Sequence, residues 1–362
     1  MKKYAFLLML VFAAITGFAQ QGYYTVYGNV TEHDTKAPMT GASVFAQNTT
    51  FGTVTDAAGN FKLQLPNGGY DLVITFTGYE TESMHITTSA GEQKIELKQK
   101  DKTLEAVAVV ASSEVKDGWE KYGDFFQENF IGKTLNSKNC IIKNKEVLKF
   151  FFSKRKNRLK IISSEPLVIE NNALGYRVKY ALDSFLYEYD TKACTYIGYP
   201  LFEEMKAGTE TQAAEWNKKR LVAYNGSLLH LMRSIYTKDL KKQGFEIQFL
   251  VDNNGKDEAI SPKSIYAALN YDKDDSTHTV EITPNQKKLA ILYNNETTDT
   301  AYLAANPGEP VKFQLSYIFF VNAPSIVIEE NGYHFDQNDI IVNGWMAWEK
   351  VADMLPYDFK QP

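Results

Sequence analysis

The chain of 362 residues holds only five histidines and two cysteines, so the places where side-chain chemistry could concentrate are few. His278-Thr-Val-Glu281 has the H-x-x-E spacing at which zinc peptidases place two ligands, and His334 is the one histidine downstream of it. The surrounding Ser276 to Thr283 alternates like a strand, which points positions 278 and 281 to opposite faces. A zinc ion needs its ligands converged at about 2 Å. His334 falls in a turn bounded by Gly and Asn, so exposed strand residues are expected here and no metal site. His33 lies in a polar turn and His85 in a short strand, and neither has a Ser or Cys beside it in a nucleophile signature. There is no G-x-S-x-G, no P-loop and no G-x-G-x-x-G. No catalytic residue and no cofactor is therefore assigned, although a triad need not be close in sequence.

The densest candidate site is the helical stretch Glu210 to Gln243. At 100° per residue, Arg220, Tyr224, Ser227, Leu231 and Ser234 share one face, with His230 at its margin. Leu221, Leu228, Leu229, Met232, Ile235 and Tyr236 form the apolar side. A guanidinium beside hydroxyls suits an anionic or sugar ligand, with Arg220, Tyr224, Ser227 and His230 as the binding residues. The alternative is the solvated face of an amphipathic helix. The basic run Lys154 to Arg158 stands between two strand-like segments and reads as a polar hairpin turn. Cys140 and Cys194 are either paired or two separate buried thiols; spacing alone does not decide.

The elements that must carry these residues fall into two groups. Residues 22 to 98 read as seven short strands: 24–30, 42–47, 53–55, 61–65, 70–76, 84–87 and 94–97. Turn signals separate them, namely Asp56 to Gly59, Pro66 to Gly69 and Thr77 to Tyr79. That rhythm indicates a small antiparallel sandwich. Residues 113 to 362 read as an α+β domain with mostly antiparallel strands. The expected helices are 114–130, 210–243 and a closing helix over 344–356, stopped at Pro356. The expected strands are 147–152, 159–163, 166–170, 176–189, 195–200, 245–251, 265–270, 277–283, 288–293, 311–320 and 325–329. Residues 99 to 112 join the two groups.

Several spaced blocks of the first group act together as a signature. They are Gly28-Asn-Val30, Ala37-Pro38-Met-Thr-Gly41-Ala42-Ser-Val44 and Gly52-Thr53-Val-Thr55-Asp56-Ala-Ala-Gly59-Asn-Phe61. Leu65-Pro66-Asn-Gly-Gly-Tyr70 and Phe76-Thr-Gly78-Tyr79 continue the series. Residues 23 to 98 resemble the carboxypeptidase regulatory-like domain of exported proteins from Bacteroidetes-type bacteria. The resemblance implies a transthyretin-like β-sandwich placed before a larger module. Thr103 to Val110 resembles the short extended segment that follows this domain in bacteroidete outer-membrane receptors. The residues after position 111 are too few for the plug and barrel that follow in those receptors, so a final strand or linker is expected. Glu165 to Tyr176, Tyr199 to Glu204 and the C-terminal stretch resemble a second module of uncharacterised bacteroidete envelope proteins, which implies no known activity.

The first twenty residues stand apart. Lys2 and Lys3 precede the apolar run Ala5 to Ile15, and Thr16 to Ala19 offer small residues for cleavage, which is the layout of a secretory signal peptide. No Cys is near that point to carry a lipid. The net charge is −5, and removal of two lysines makes it more negative still. Sequence-independent nucleic-acid binding is excluded on that balance. No later apolar run is long enough to span a membrane as a helix. With 44% apolar and 23% charged residues the chain is globular. The expected protein is an exported, periplasmic or outer-membrane-associated one with a non-enzymatic binding, scaffold or accessory role, its partner an envelope protein or a glycan. A hydrolase acting on peptide or glycan through a dispersed site in the second domain and a glycan-binding module are the alternatives.

Overall fold

The computed structural model describes residues 22–100, 114–335 and 337–361. The proposed signal peptide and most of the joint at 99–112 lie outside the described residues.

The N-terminal part is a β-sandwich of seven strands. They are β1 (Tyr23–Glu32), β2 (Ser43–Ala46), β3 (Gly52–Val54), β4 (Asn60–Pro66), β5 (Tyr70–Thr75), β6 (Glu82–Ile86) and β7 (Gln93–Leu97). One sheet runs β4-β1-β7 and the other β3-β2-β5-β6. Every pairing is antiparallel except β1 with β7. Alternation explains the layers: along β4, Phe61, Leu63 and Leu65 point inward and Asn60, Lys62 and Gln64 outward. They meet Val26, Val30, Leu72 and Ile74 in one apolar core.

The next part begins with α1 (Gly118–Phe130), followed by β8 (Cys140–Ile142), β9 (Leu148–Ser153), β10 (Arg158–Ser163), β11 (Leu167–Asn171), β12 (Tyr176–Glu188) and β13 (Ala193–Glu204). The sheet order is β8-β11-β12-β10-β9, with β13 along the other side of β12. Lys154 to Asn157 form the turn of the β9–β10 hairpin. Phe126 and Phe130 of α1 stack at 4.9 Å and drive into this sheet against Phe185 and Tyr180.

Two helices follow where one was expected. α2 (Glu210–Tyr224) and α3 (Leu228–Tyr236) are separated by Asn225, Gly226 and Ser227. Gly226 takes φ +76°, a conformation that breaks a helix and favours glycine. Ser227 then caps α3 by accepting from His230 N. The remaining elements are β14 (Phe245–Asn253), β15 (Lys256–Ile260), α4 (Ile265–Ala268), β16 (Asp272–Asp274), β17 (Thr279–Ile282), β18 (Lys288–Tyr293), α5 (Thr300–Ala305), β19 (Gln314–Phe320), β20 (Ile326–Glu329), β21 (His334–Phe335), β22 (Ile340–Gly344) and α6 (Trp345–Trp348). They form two antiparallel sheets, β15-β14-β18-β19-β22 and β16-β17-β20-β21, which share a core with α3.

Three elements differ from the pattern expected of them. The strand expected at 265–270 is the short helix α4, with Leu269 N bonded to Ile265 O; so brief an apolar run has no period that separates helix from strand. His278 is in the turn before β17, at φ +57°, and His334 is a buried residue of β21. The closing helix is a single turn, α6. Beyond it the backbone bonds elsewhere: Ala352 N donates to Ile131 O and Asn171 Nδ2 donates to Ala352 O. Val351, Ala352, Leu355 and Phe359 enter the core of the central sheet, and that burial outweighs helical continuation.

This C-terminal segment also fastens the sandwich. Tyr357 N donates to Asn48 O at 2.7 Å, and Asp358 accepts from Thr50 N and Thr50 Oγ1. Replacing Asp358 by Ala removes two hydrogen bonds to a charged group, a loss of about 1–3 kcal/mol. In calorimetry the variant is expected to melt earlier, with the sandwich separating as its own transition. An unchanged single transition would show that the tie does not couple the two parts.

Candidate functional site

Arg220, Tyr224, Ser227 and His230 are drawn together by packing but turned to internal partners. Arg220 is buried, donating from Nε to Leu174 O at 2.7 Å, from Nη2 to Gly175 O and from Nη1 to Glu204. Its guanidinium lies 4.0 Å over the Tyr176 ring. Tyr224 packs on His230 at 4.6 Å. His230 Nδ1 accepts from Gly226 N, and Nε2 faces Gln243 Oε1. Burial lowers the His230 pKa and keeps the ring neutral. This is therefore no solvated face: the polar groups hold the β11–β12 turn and the α2–α3 junction. Ser227 alone of the four also lines a cavity.

That cavity is an open cleft of about 660 Å³ where the sandwich meets the rest of the chain. The sandwich supplies Asp71 and His85, the hairpin β12–β13 supplies Tyr196 to Pro200, and the β20–β21 hairpin supplies Tyr333 to Phe335. Glu349, Lys350, Asp353 and Tyr357 of the C-terminal segment complete it. Asp71 and His85 face each other across β5 and β6, with His85 Nδ1 3.3 Å from Asp71 Oδ1. Tyr333 Oη donates to the other Asp71 oxygen at 2.8 Å, and Phe335 packs on the His85 ring. His85 Nε2 is buried and hydrogen-bonded to no described residue.

The cleft carries unusual electrostatics. Burial raises the pKa of Asp353 and Glu349; the Asp353 carboxyl raises that of Glu349 further, and Asp299 raises that of Asp353. Asp353 is also held in place, accepting from Thr134 Oγ1 and Asn136 Nδ2 at 2.8 Å each. Burial lowers the pKa of Lys350, whose ammonium lies 5.7 Å over the Tyr196 ring. Cys140 and Cys194 are both free thiols, and burial pushes Cys140 up to about 12, an unreactive state. Among the described residues no group of three or more His, Cys, Asp or Glu is placed to hold a metal ion. No described helix is long and apolar enough to cross a membrane.

Of the cleft residues, Ser227 alone is among those the sequence offers as ligand contacts. The local signal was slight: His85 and Asp71 sit on adjacent strand candidates, while Tyr333 and Phe335, which touch them, are more than two hundred residues away in the chain.

Residues 26–110 match the family model of the CarboxypepD_reg-like domain, so the sandwich is such a domain. A segment of 113 residues, 30% of this chain, is 37% identical to the TonB-dependent receptor SusC of Bacteroides thetaiotaomicron and spans 11% of that receptor. A TonB-dependent receptor of Formosa agariphila is 33% identical over 112 residues, again 11% of its length. The chain thus spans about a tenth of the curated relatives it matches. Among solved structures, a DUF3823 family protein from Bacteroides ovatus aligns with 52% of this chain and 83% of its own, at 13% identity and a TM-score of 0.18.

Two outcomes are expected. Arg220→Met strips the donors from two buried carbonyls and should cost about 2–4 kcal/mol in urea denaturation. Retained stability would free Arg220 for a ligand. The second concerns pH. Glu349 and Asp353 have folded pKa values above their unfolded ones, so their contribution is full below the unfolded values and is lost as pH rises through the folded ones. As pH falls from the folded carboxyl values toward the unfolded ones at about 4, the denaturation midpoint should rise, with the neutral His230 opposing that rise below roughly 6.5. Glu349→Gln should flatten this dependence; an equally steep profile would contradict the assignment.

Proposed function

We propose that this chain is an exported, non-enzymatic binding protein of the bacterial cell envelope that takes its partner in the cleft beside the sandwich. The observation that carries the reading is the joint construction of the cleft: the regulatory-like domain contributes one wall and the α+β part the others. Its volume is in the range of ligand sites. The envelope setting is supported by the signal-like leader and by the kinship of the sandwich segment with TonB-dependent receptors. On this reading residues 22–98 form the sandwich domain, 99–112 the linker and 113–362 the second domain.

Binding is favoured over hydrolysis by how the titratable groups are engaged. Asp353 spends both oxygens on Thr134 and Asn136, and His85 Nε2 has no hydroxyl or thiol to activate. A surface platform for glycans is not favoured either. Among the described aromatic residues only Tyr23 and Tyr27 are exposed, and both stand on the outer face of β1, away from the cleft.

The test is capture from gently solubilised native envelope by the tagged mature protein, with partners identified by mass spectrometry. Ile197 lines the cleft and is 57% exposed, so Ile197→Arg obstructs the site without entering a core. A stoichiometric partner should fall at least tenfold with this variant while the melting temperature holds. Equal recovery by both proteins, or a peptide or glycan turnover abolished by one cleft substitution, would overturn the reading.

A further inference from the structure

Resting on that reading of the cleft, we propose that its occupant is an extended peptide segment of another polypeptide, added as a strand to the open edge of β13. A short stretch of that edge is already paired. Asn48 N donates to Pro200 O at 2.8 Å, Phe202 N donates to Thr49 O at 2.9 Å, and Thr49 pairs parallel with Leu201. The sandwich loop therefore acts as a one-step strand on the outer edge of β13.

Those two bonds fix the direction of every main-chain group along β13. Pro200 and Phe202 turn outward, away from β12, so the alternate residues Gly198 and Tyr196 do so as well. The irregularity in the ladder falls between Leu182 and Ser184 on β12, and the count along β13 is unbroken through it. Tyr196, Ile197 and Gly198 all line the cleft. Where the loop stops, the same edge runs on into the cavity.

The facing wall repeats the pattern. Asp71 O accepts from Gln47 N, so the odd residues of β5 face β2 and the even ones face β6. Leu72 and Met84 are then a hydrogen-bonded pair, and Ser83 and His85 turn their main-chain groups outward. Both residues line the cleft. Two sheet edges thus border one cavity.

Main-chain donors and acceptors at strand spacing are what an extended peptide complements. An occupant would accept from Gly198 N–H and donate to Tyr196 C=O, as Asn48–Thr49 do with Phe202 N–H and Pro200 C=O. Ile197 and Tyr199, on the alternate positions, would meet its side chains. Gly198 itself is unsuitable for substitution, because a Cβ there would collide with the Tyr180 ring.

The experiment selects twelve-residue peptides from a random display library on the full chain, then follows amide hydrogen exchange by NMR. A selected peptide is expected to slow exchange at Tyr196 and Gly198 at least tenfold and to leave Ile197, bonded to β12, unchanged. N-methylation at alternate peptide positions should weaken binding at least tenfold, with intervening positions tolerated. Slow exchange at Tyr196 and Gly198 in the peptide-free protein would overturn the proposal, since those groups would already be paired. A peptide that is competed by the cleft and alters neither amide overturns strand addition while leaving the cleft as a binding site. Failure to select any peptide whose binding Ile197→Arg abolishes overturns strand addition, and loss of the envelope partner test would remove the cleft reading separately.

Discussion

The segment from Glu349 to Phe359 is the constraint on which the arrangement depends. It leaves the last sheet at α6 and crosses to the core of the central sheet, where Val351, Ala352, Leu355 and Phe359 are buried. It then reaches the sandwich through Tyr357 and Asp358. Arg233 of α3 holds it from another side, donating from Nη2 to Tyr357 O at 3.0 Å. A helix over these residues would satisfy its own backbone and leave those partners unmet. The chain of turns that forms instead gives backbone groups to Ile131 and Asn171, to Asn48 and to Arg233, and its Glu349, Lys350, Asp353 and Tyr357 line the cleft.

The same segment explains the electrostatics. Docking it in a core brings Glu349, Lys350 and Asp353 out of water together. Burial of an unpaired charge is expensive, so such groups tend toward their neutral forms. The raised carboxyl pKa values and the lowered Lys350 pKa are that tendency in both signs. Shifted values often mark catalytic groups. Here they have a sufficient cause in the packing of the tie, and Thr134 and Asn136 occupy Asp353 as structural donors.

Local patterns were legible in the sequence and long-range ones were not. All seven strands of the sandwich follow from alternation and from turns such as Asp56 to Gly59, where Asp56 Oδ1 accepts from Ala58 N and Asn60 N. The break between α2 and α3 had its signal in Asn225-Gly226-Ser227, a left-handed residue followed by a cap, which a count of the apolar face overrode. Arg220 stood among the candidate binding residues of one helical face, but periodicity could not say whether Leu174 O or water received its protons. The cleft had no local signature, because Asp71, Ile197, Tyr333 and Glu349 meet only after separate sheets have formed and docked.

An open sheet edge is ordinarily a hazard, since it invites pairing with any extended chain. The two ends of the β13 edge meet that hazard differently. At Pro200 and Phe202 the sandwich loop covers the edge with its own main chain. At Tyr196 and Gly198 the edge is recessed in a cavity walled by the sandwich and the C-terminal segment. A recessed edge is shielded from lateral association between folded copies, because two sheets cannot approach it side by side. It stays open to a single strand that enters lengthwise. The tie at Asp358 therefore holds the sandwich where it both protects the edge and shapes the entrance to it.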